Sequence, residues 1–148
     1  MKKILICAVC ATAILVACKK KDEKTIDPIP AGPTKTELIS ANEWILKDAV
    51  SNGTSYYPFL QACQKDDSYR FLKTNILENY DNAIKCDAAD PDTVKSNWSF
   101  YNNETQIIVD LKKFSYQDTA DIQSLTSDKM VFIIDYIGSP LEITFKKK

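Results

Sequence analysis

The chemistry open to this chain is bounded first by what it lacks. Its 148 residues include five cysteines and no histidine. Ser-His-Asp and Cys-His nucleophilic catalysis therefore have no base, and every His-based metal site is excluded. The carboxylates are the remaining candidates. Asp66-Asp67 could supply half of a paired-acid site of the glycosidase kind, yet nothing in the sequence sets two carboxylates across a cleft. Asp81, Asp87, Asp90 and Asp92 cluster around Cys86. Oxygen-rich loops can bind calcium, but this spacing lacks the glycine and the terminal glutamate of an EF-hand loop. A solvated turn is the simpler expectation. No catalytic residue, metal ligand or cofactor is assigned.

The cysteines divide by position. Met1-Lys2-Lys3 is a basic start, and Ile4 to Val16 then carries no charge. A run of that length suits a signal peptide and is too short to span a bilayer. Leu15-Val16-Ala17-Cys18 closes it. That stretch resembles the lipobox of bacterial lipoprotein signals. The resemblance implies removal of residues 1–17 and a thioether-linked lipid on Cys18. Its acyl chains, palmitate among them, would hold the protein to a membrane at about 0.8 kcal/mol per buried methylene. Cys7 and Cys10 leave with the signal. Cys63 and Cys86 remain as one possible disulfide pair in an oxidising envelope.

Residues 18–35 read as a tether. Lys19 to Lys24 is charged, and Pro28, Pro30 and Pro33 favour an extended spacer. Lys21-Asp22-Glu23 resembles the lysine-plus-two-acids tag that sends some Gram-negative lipoproteins to the cell surface. Outer-membrane anchoring with surface display is the expected location. Without Lys2 and Lys3 the remaining chain is mildly acidic, which leaves no electrostatic footprint for nucleic acid.

From residue 36 onward the pattern is one of short apolar-rich runs between polar turns. Leu38 to Trp44 reads as a short helical lead-in. Strands are expected at Trp44–Val50, Ser68–Leu72, Ile76–Tyr80, Val94–Tyr101, Gln106–Lys112, Tyr116–Leu125, Lys129–Ile137 and Leu141–Lys146. Pro58 keeps the aromatic stretch Tyr56 to Leu60 out of a central strand. Ser51-Asn52-Gly53-Thr54 is a turn signal after the first strand, and Ile137-Gly138-Ser139-Pro140 marks the last hairpin. Ile107, Val109 and Leu111 share one apolar face, as do Leu141, Ile143 and Phe145. About eight strands at roughly ten-residue spacing predict an antiparallel sandwich or barrel, with no second helical layer. On Lys129–Ile137 both faces are largely apolar. Met130, Phe132, Ile134 and Tyr136 would face inward, and Val131, Ile133 and Ile137 would need cover from the lead-in or a partner.

Several stretches together resemble the lipocalin-like domain of small Gram-negative envelope lipoproteins. They are Trp44-Ile45-Leu46, Cys63 through Phe71, Cys86 through Asp90, Asn97-Trp98-Ser99-Phe100 and the tail Leu141 to Lys148. Asn42 and Ser96 stand where that family usually has glycine. The resemblance covers about residues 36–148 and implies an all-β, antiparallel, up-and-down eight-stranded barrel behind the signal and tether. It implies no agreed activity. Trp44, Tyr69, Phe71, Trp98 and Phe100 are the candidate cavity lining, although a Trp on an alternating strand is more often plain core. Asp92-Thr93-Val94 and Asp118-Thr119-Ala120 resemble acceptors for O-linked sugars, which would require Thr93 and Thr119 to be exposed. The leading expectation is a non-catalytic domain that binds a small apolar molecule or a protein partner. The alternative is an accessory or inhibitory platform of a cell-surface assembly, with Tyr56, Tyr57 and Phe59 as its aromatic patch.

Overall fold

The computed structural model describes residues 32–111 and 116–148. The lipobox, the Lys21-Asp22-Glu23 tag and most of the tether lie outside the described residues. Helix α1, Lys35–Ser40, leads into strand β1, Glu43–Ser51. A two-residue strand β2, Thr54–Ser55, a 3-10 turn at Tyr57–Phe59 and helix α2, Ala62–Asp66, precede β3, Ser68–Phe71. Then come β4, Ile76–Tyr80; β5, Thr93–Tyr101; β6, Gln106–Leu111; and β7, Tyr116–Leu125. Finally β8, Lys129–Tyr136, turns back into β9, Ser139–Lys147.

The sheet is all antiparallel and up-and-down. Its order is β2-β1-β3-β4-β5-β6-β7-β8-β9, and β1 also pairs with β9. That last pairing runs from Trp44 opposite Lys147 to Val50 opposite Glu142. It closes eight strands into a barrel, and β2 folds back to pair with Val50 and Ser51 at the end of β1. Closure leaves no long exposed edge. The expected strands are all present: Ile76–Tyr80 and Tyr116–Leu125 match at both ends, and the others differ by at most two residues at an end, with Lys112 outside the described residues. The last turn is tighter than expected: Tyr136 lies opposite Ser139, so Ile137-Gly138 alone makes it, and Ser139 and Pro140 belong to β9.

With few glycines, the chain turns its corners on asparagine. Asn52, Asn75, Asn102 and Asn103 all have positive φ, alongside Gly53 and Gly138. Asn tolerates the left-handed region because its short amide bonds locally to the backbone. Asn52-Gly53 and Ile137-Gly138 each fill a two-residue hairpin with both φ values positive, the arrangement that matches strand twist.

One end of the barrel is sealed by α1. Thr34 caps the helix: its hydroxyl accepts from the Glu37 amide at 3.2 Å, and the Glu37 carboxylate accepts from the Thr34 amide at 2.8 Å. These bonds, the backbone one foremost, hold the Glu37 carboxyl below the usual range. Ile39 is completely buried in the interior cluster. The indole N–H of Trp44, itself fully buried, donates to the Ile39 carbonyl at 2.8 Å. Outside the plug, Lys35 donates to the Glu104 carbonyl, and the Asn42 amide donates to the Ser127 carbonyl at 2.8 Å. The lead-in therefore belongs to the closed end, and it does not serve as cover for the outer face of β8. On that face Val131 is buried between the paired residues Ser124 and Thr144, Ile133 is half-buried and Ile137 is 86% exposed.

Trp44 is thus both core filler and latch. Trp44→Ala should lower unfolding free energy by about 3–5 kcal/mol. Trp44→Phe keeps most of the volume but leaves the Ile39 carbonyl without its donor, and should cost about 1–3 kcal/mol. Urea unfolding followed by circular dichroism checks both values.

Candidate functional site

Alternation along the strands sorts side chains into an interior and an exterior set. The interior set does not fill the barrel. A cavity of about 230 Å³ remains towards the end opposite α1. Ile107 and Val109 of β6, Ala120 of β7, Phe132 and Ile134 of β8, and Ile143 and Phe145 of β9 form one wall. Leu46, Tyr69, Phe71 and Leu77 form the other. Asp118 is the one charged residue in the lining.

The five aromatic residues expected around a cavity separate into two groups. Tyr69 and Phe71 line it. Trp44, Trp98 and Phe100 pack in or against the core cluster instead. Trp98 meets Phe71 edge-on at 5.4 Å between ring centres and Phe100 at 5.3 Å. Its indole N–H donates to the Leu72 carbonyl at 3.1 Å. Both tryptophans thus have their polar atom satisfied by backbone and their rings in the packed floor, the usual arrangement for buried Trp. Tyr69 packs edge-on against Phe145 at 5.5 Å. Burial, and then the nearby Asp67 and Asp81, push its hydroxyl well above the ordinary tyrosine range, so it stays a neutral donor.

Sequence reasoning missed Leu46, Leu77, Asp118 and Ala120 in the lining. The first two carried a usable signal. Leu46 stands two residues after Trp44, and Leu77 pairs directly with Phe71. Ala120 and Asp118 lie on a strand too polar to show a face.

The cavity end of the barrel is strapped on one side. Cys63 of α2 and Cys86 of the β4–β5 loop form a disulfide, with Cα atoms 5.2 Å apart. The Asn82 amide donates to the Asp66 carbonyl, and the Ile84 amide to the Asp66 carboxylate at 2.9 Å. Cys63, Asp67, Ser68 and Asp81 are buried. A polar cluster continues along the outer wall. The Ser68 hydroxyl donates to the Glu43 carboxylate and accepts from the Asn82 amide at 3.0 Å. Lys148 pairs with Glu43 at 2.5 Å.

The acidic turn around Cys86 is held by its own side chains. Lys85 pairs with Asp92 at 2.6 Å, and the Asp87 carboxylate accepts from the Ala89 amide at 2.9 Å. Asp87 and Asp92 are exposed. Among the described residues, no group of three or more His, Cys, Asp or Glu is arranged to hold a metal ion. Thr119 is exposed on β7, and Thr93 is half-buried opposite Tyr80.

Comparison with known proteins adds fold and nothing finer. No protein-family model matches the chain. No curated protein matches it either. Among solved structures, a lipocalin-like protein from Bacteroides uniformis is similar, with a TM-score of 0.50 and 16% identity. The alignment covers 72% of this chain and 96% of that one. At that identity the likeness concerns the fold, and it agrees with the closed eight-stranded barrel described above: the fold is lipocalin-like.

The disulfide closes a loop with a sequence separation of 23. On the chain-entropy argument it contributes about 3.4 kcal/mol. Cys63→Ala/Cys86→Ala should lose most of that in urea unfolding. A thiol count on the denatured, unreduced domain should find neither cysteine free.

Proposed function

We propose that this is a non-catalytic carrier or sensor domain whose barrel cavity holds a small apolar group. One observation carries the reading: an eight-stranded barrel can be filled completely by its side chains, yet this one keeps about 230 Å³ open between apolar walls. A cavity of about 150 Å³ with such walls stays dry and accepts benzene. By that scale the space here suits an apolar group on the order of ten heavy atoms. It falls below the usual range for drug-sized ligands, about 300–1,000 Å³. A long acyl chain is therefore not the expected guest.

The proposal includes the setting. Leu15 to Cys18 supports a lipid anchor on Cys18, and Lys21-Asp22-Glu23 supports display at the surface of the outer membrane. Sixteen residues, 19–34, would lie between the anchor and α1 as a spacer. Cys18→Ser should abolish palmitate labelling and release the protein from the membrane fraction. A variant that stays fully membrane-bound contradicts the anchor.

A second reading has its own support. Phe59 is 79% exposed and Ile137 86%, with Tyr56 and Tyr136 also uncovered. Large apolar groups in water favour a protein partner, as an accessory platform of a surface assembly would require.

Titration with para-fluorotoluene, read by fluorine NMR, separates the two. The carrier reading expects one saturable site with Kd on the order of 1 mM or tighter. Val109→Phe should place a ring in the cavity and remove that site while the barrel stays folded. A parent protein with no saturable shift leaves only the platform.

A further inference from the structure

The barrel wall is split between β7 and β8. Their ladder runs from Leu125 opposite Met130 to Asp121 opposite Ile133 and stops there. Both strands continue. Beyond that point β7 pairs only with β6, as far as Tyr116, and β8 only with β9, as far as Tyr136. A slot is left between residues 118–120 and 134–136. Its β7 edge is blunted: the Asp118 carboxylate accepts from the Thr119 amide at 2.7 Å, an amide that strand alternation turns towards the slot. An edge amide already satisfied by its neighbour gains little from an added strand. The slot is therefore a poor site for strand addition.

A hollow of about 370 Å³ lies outside the slot, bordered by Thr119, Asp121, Ile133, Asp135 and Ser139 among others. Ile134 borders both this hollow and the interior cavity. Ile134 is only half-buried.

We propose that the slot is a side entrance to the cavity, gated by Ile134, and that the outer hollow seats the polar end of the ligand. This rests on the carrier reading. A guest entering apolar end first passes Ile133 and Ile134 and then meets aromatic and aliphatic walls. Its head stays in the hollow, against the Thr119 and Ser139 hydroxyls and the Asp121 and Asp135 carboxylates. Those acceptors suit a head that donates hydrogen bonds, an alcohol or an ammonium, and disfavour a carboxylate by like-charge repulsion. The opposite side of this end is strapped by the Cys63–Cys86 bond and covered by α2.

The test uses para-fluorobenzyl alcohol, with exchange rates read by fluorine NMR saturation transfer. Thr119→Cys is labelled with a maleimide-linked polyethylene glycol on the otherwise disulfide-bonded protein. Tyr56→Cys, exposed elsewhere on the same end, carries the same label as control. A blocked entrance slows both arrival and departure, so the off-rate at the Thr119 label should fall by about tenfold or more and stay unchanged at the Tyr56 label. A label that merely removed a contact would raise the off-rate. An off-rate unchanged or raised at Thr119, or slowed equally from Tyr56, overturns the side entrance while leaving the carrier reading intact. Para-fluorobenzoate binding as tightly as the alcohol overturns the head-group assignment. No saturable binding by the unlabelled protein overturns both the entrance and the carrier reading.

Discussion

Closure of β1 on β9 is the constraint on which everything else in this fold depends. Without the pairing from Trp44–Lys147 to Val50–Glu142, the sheet would present two long edges and an unsupported apolar face. With it, the inner face becomes an interior. The same pairing brings Trp44 under α1, so the strand that closes the barrel also carries the residue that locks its plug. Pairing and plug meet at one residue: Trp44 pairs with Lys147 in the closing ladder and donates its indole N–H to the Ile39 carbonyl of α1.

The interior is then divided by side-chain size. At the plugged end, Trp44, Trp98, Phe71 and Met130 pack to near-complete burial. Towards the other end the same alternation delivers smaller groups, Val109, Ala120 and Ile143, and the walls no longer meet. The cavity arises where β6, β7 and β9 present short side chains to a barrel whose diameter is set by strand number. The disulfide and α2 stiffen the β3–β4 side of that end, while the β7–β8 side is left split. Rigidity and access thus occupy opposite walls.

Much of the architecture was legible in the sequence because period-two alternation and turn residues are local signals. Ile107-Val109 and Ile143-Phe145 declared their face, and Asn52-Gly53 declared its hairpin. The disulfide followed from the cysteine count and the expected oxidising compartment, and Cys63 and Cys86 do pair. Three features were not legible, for physical reasons. Irregularities after Leu46 and after Ile122 shift the register, so alternation on β1 and β7 changes phase midway. The latch role of Trp44, beyond the core role that alternation favoured for both tryptophans, depends on a plug contributed by α1, which alternation along one strand does not report. The size of the cavity and the split between β7 and β8 are differences between neighbouring strands, and one strand's pattern carries neither.

The central claim is that the barrel interior holds open apolar space that a guest can enter. Crystals of the domain pressurised with xenon test it directly, since xenon occupies dry apolar cavities and has little affinity for filled cores. Xenon density bounded by Phe71, Val109, Ile134 and Phe145 is the expected result. An interior without xenon at full pressure, with those side chains in contact across the barrel, would contradict it.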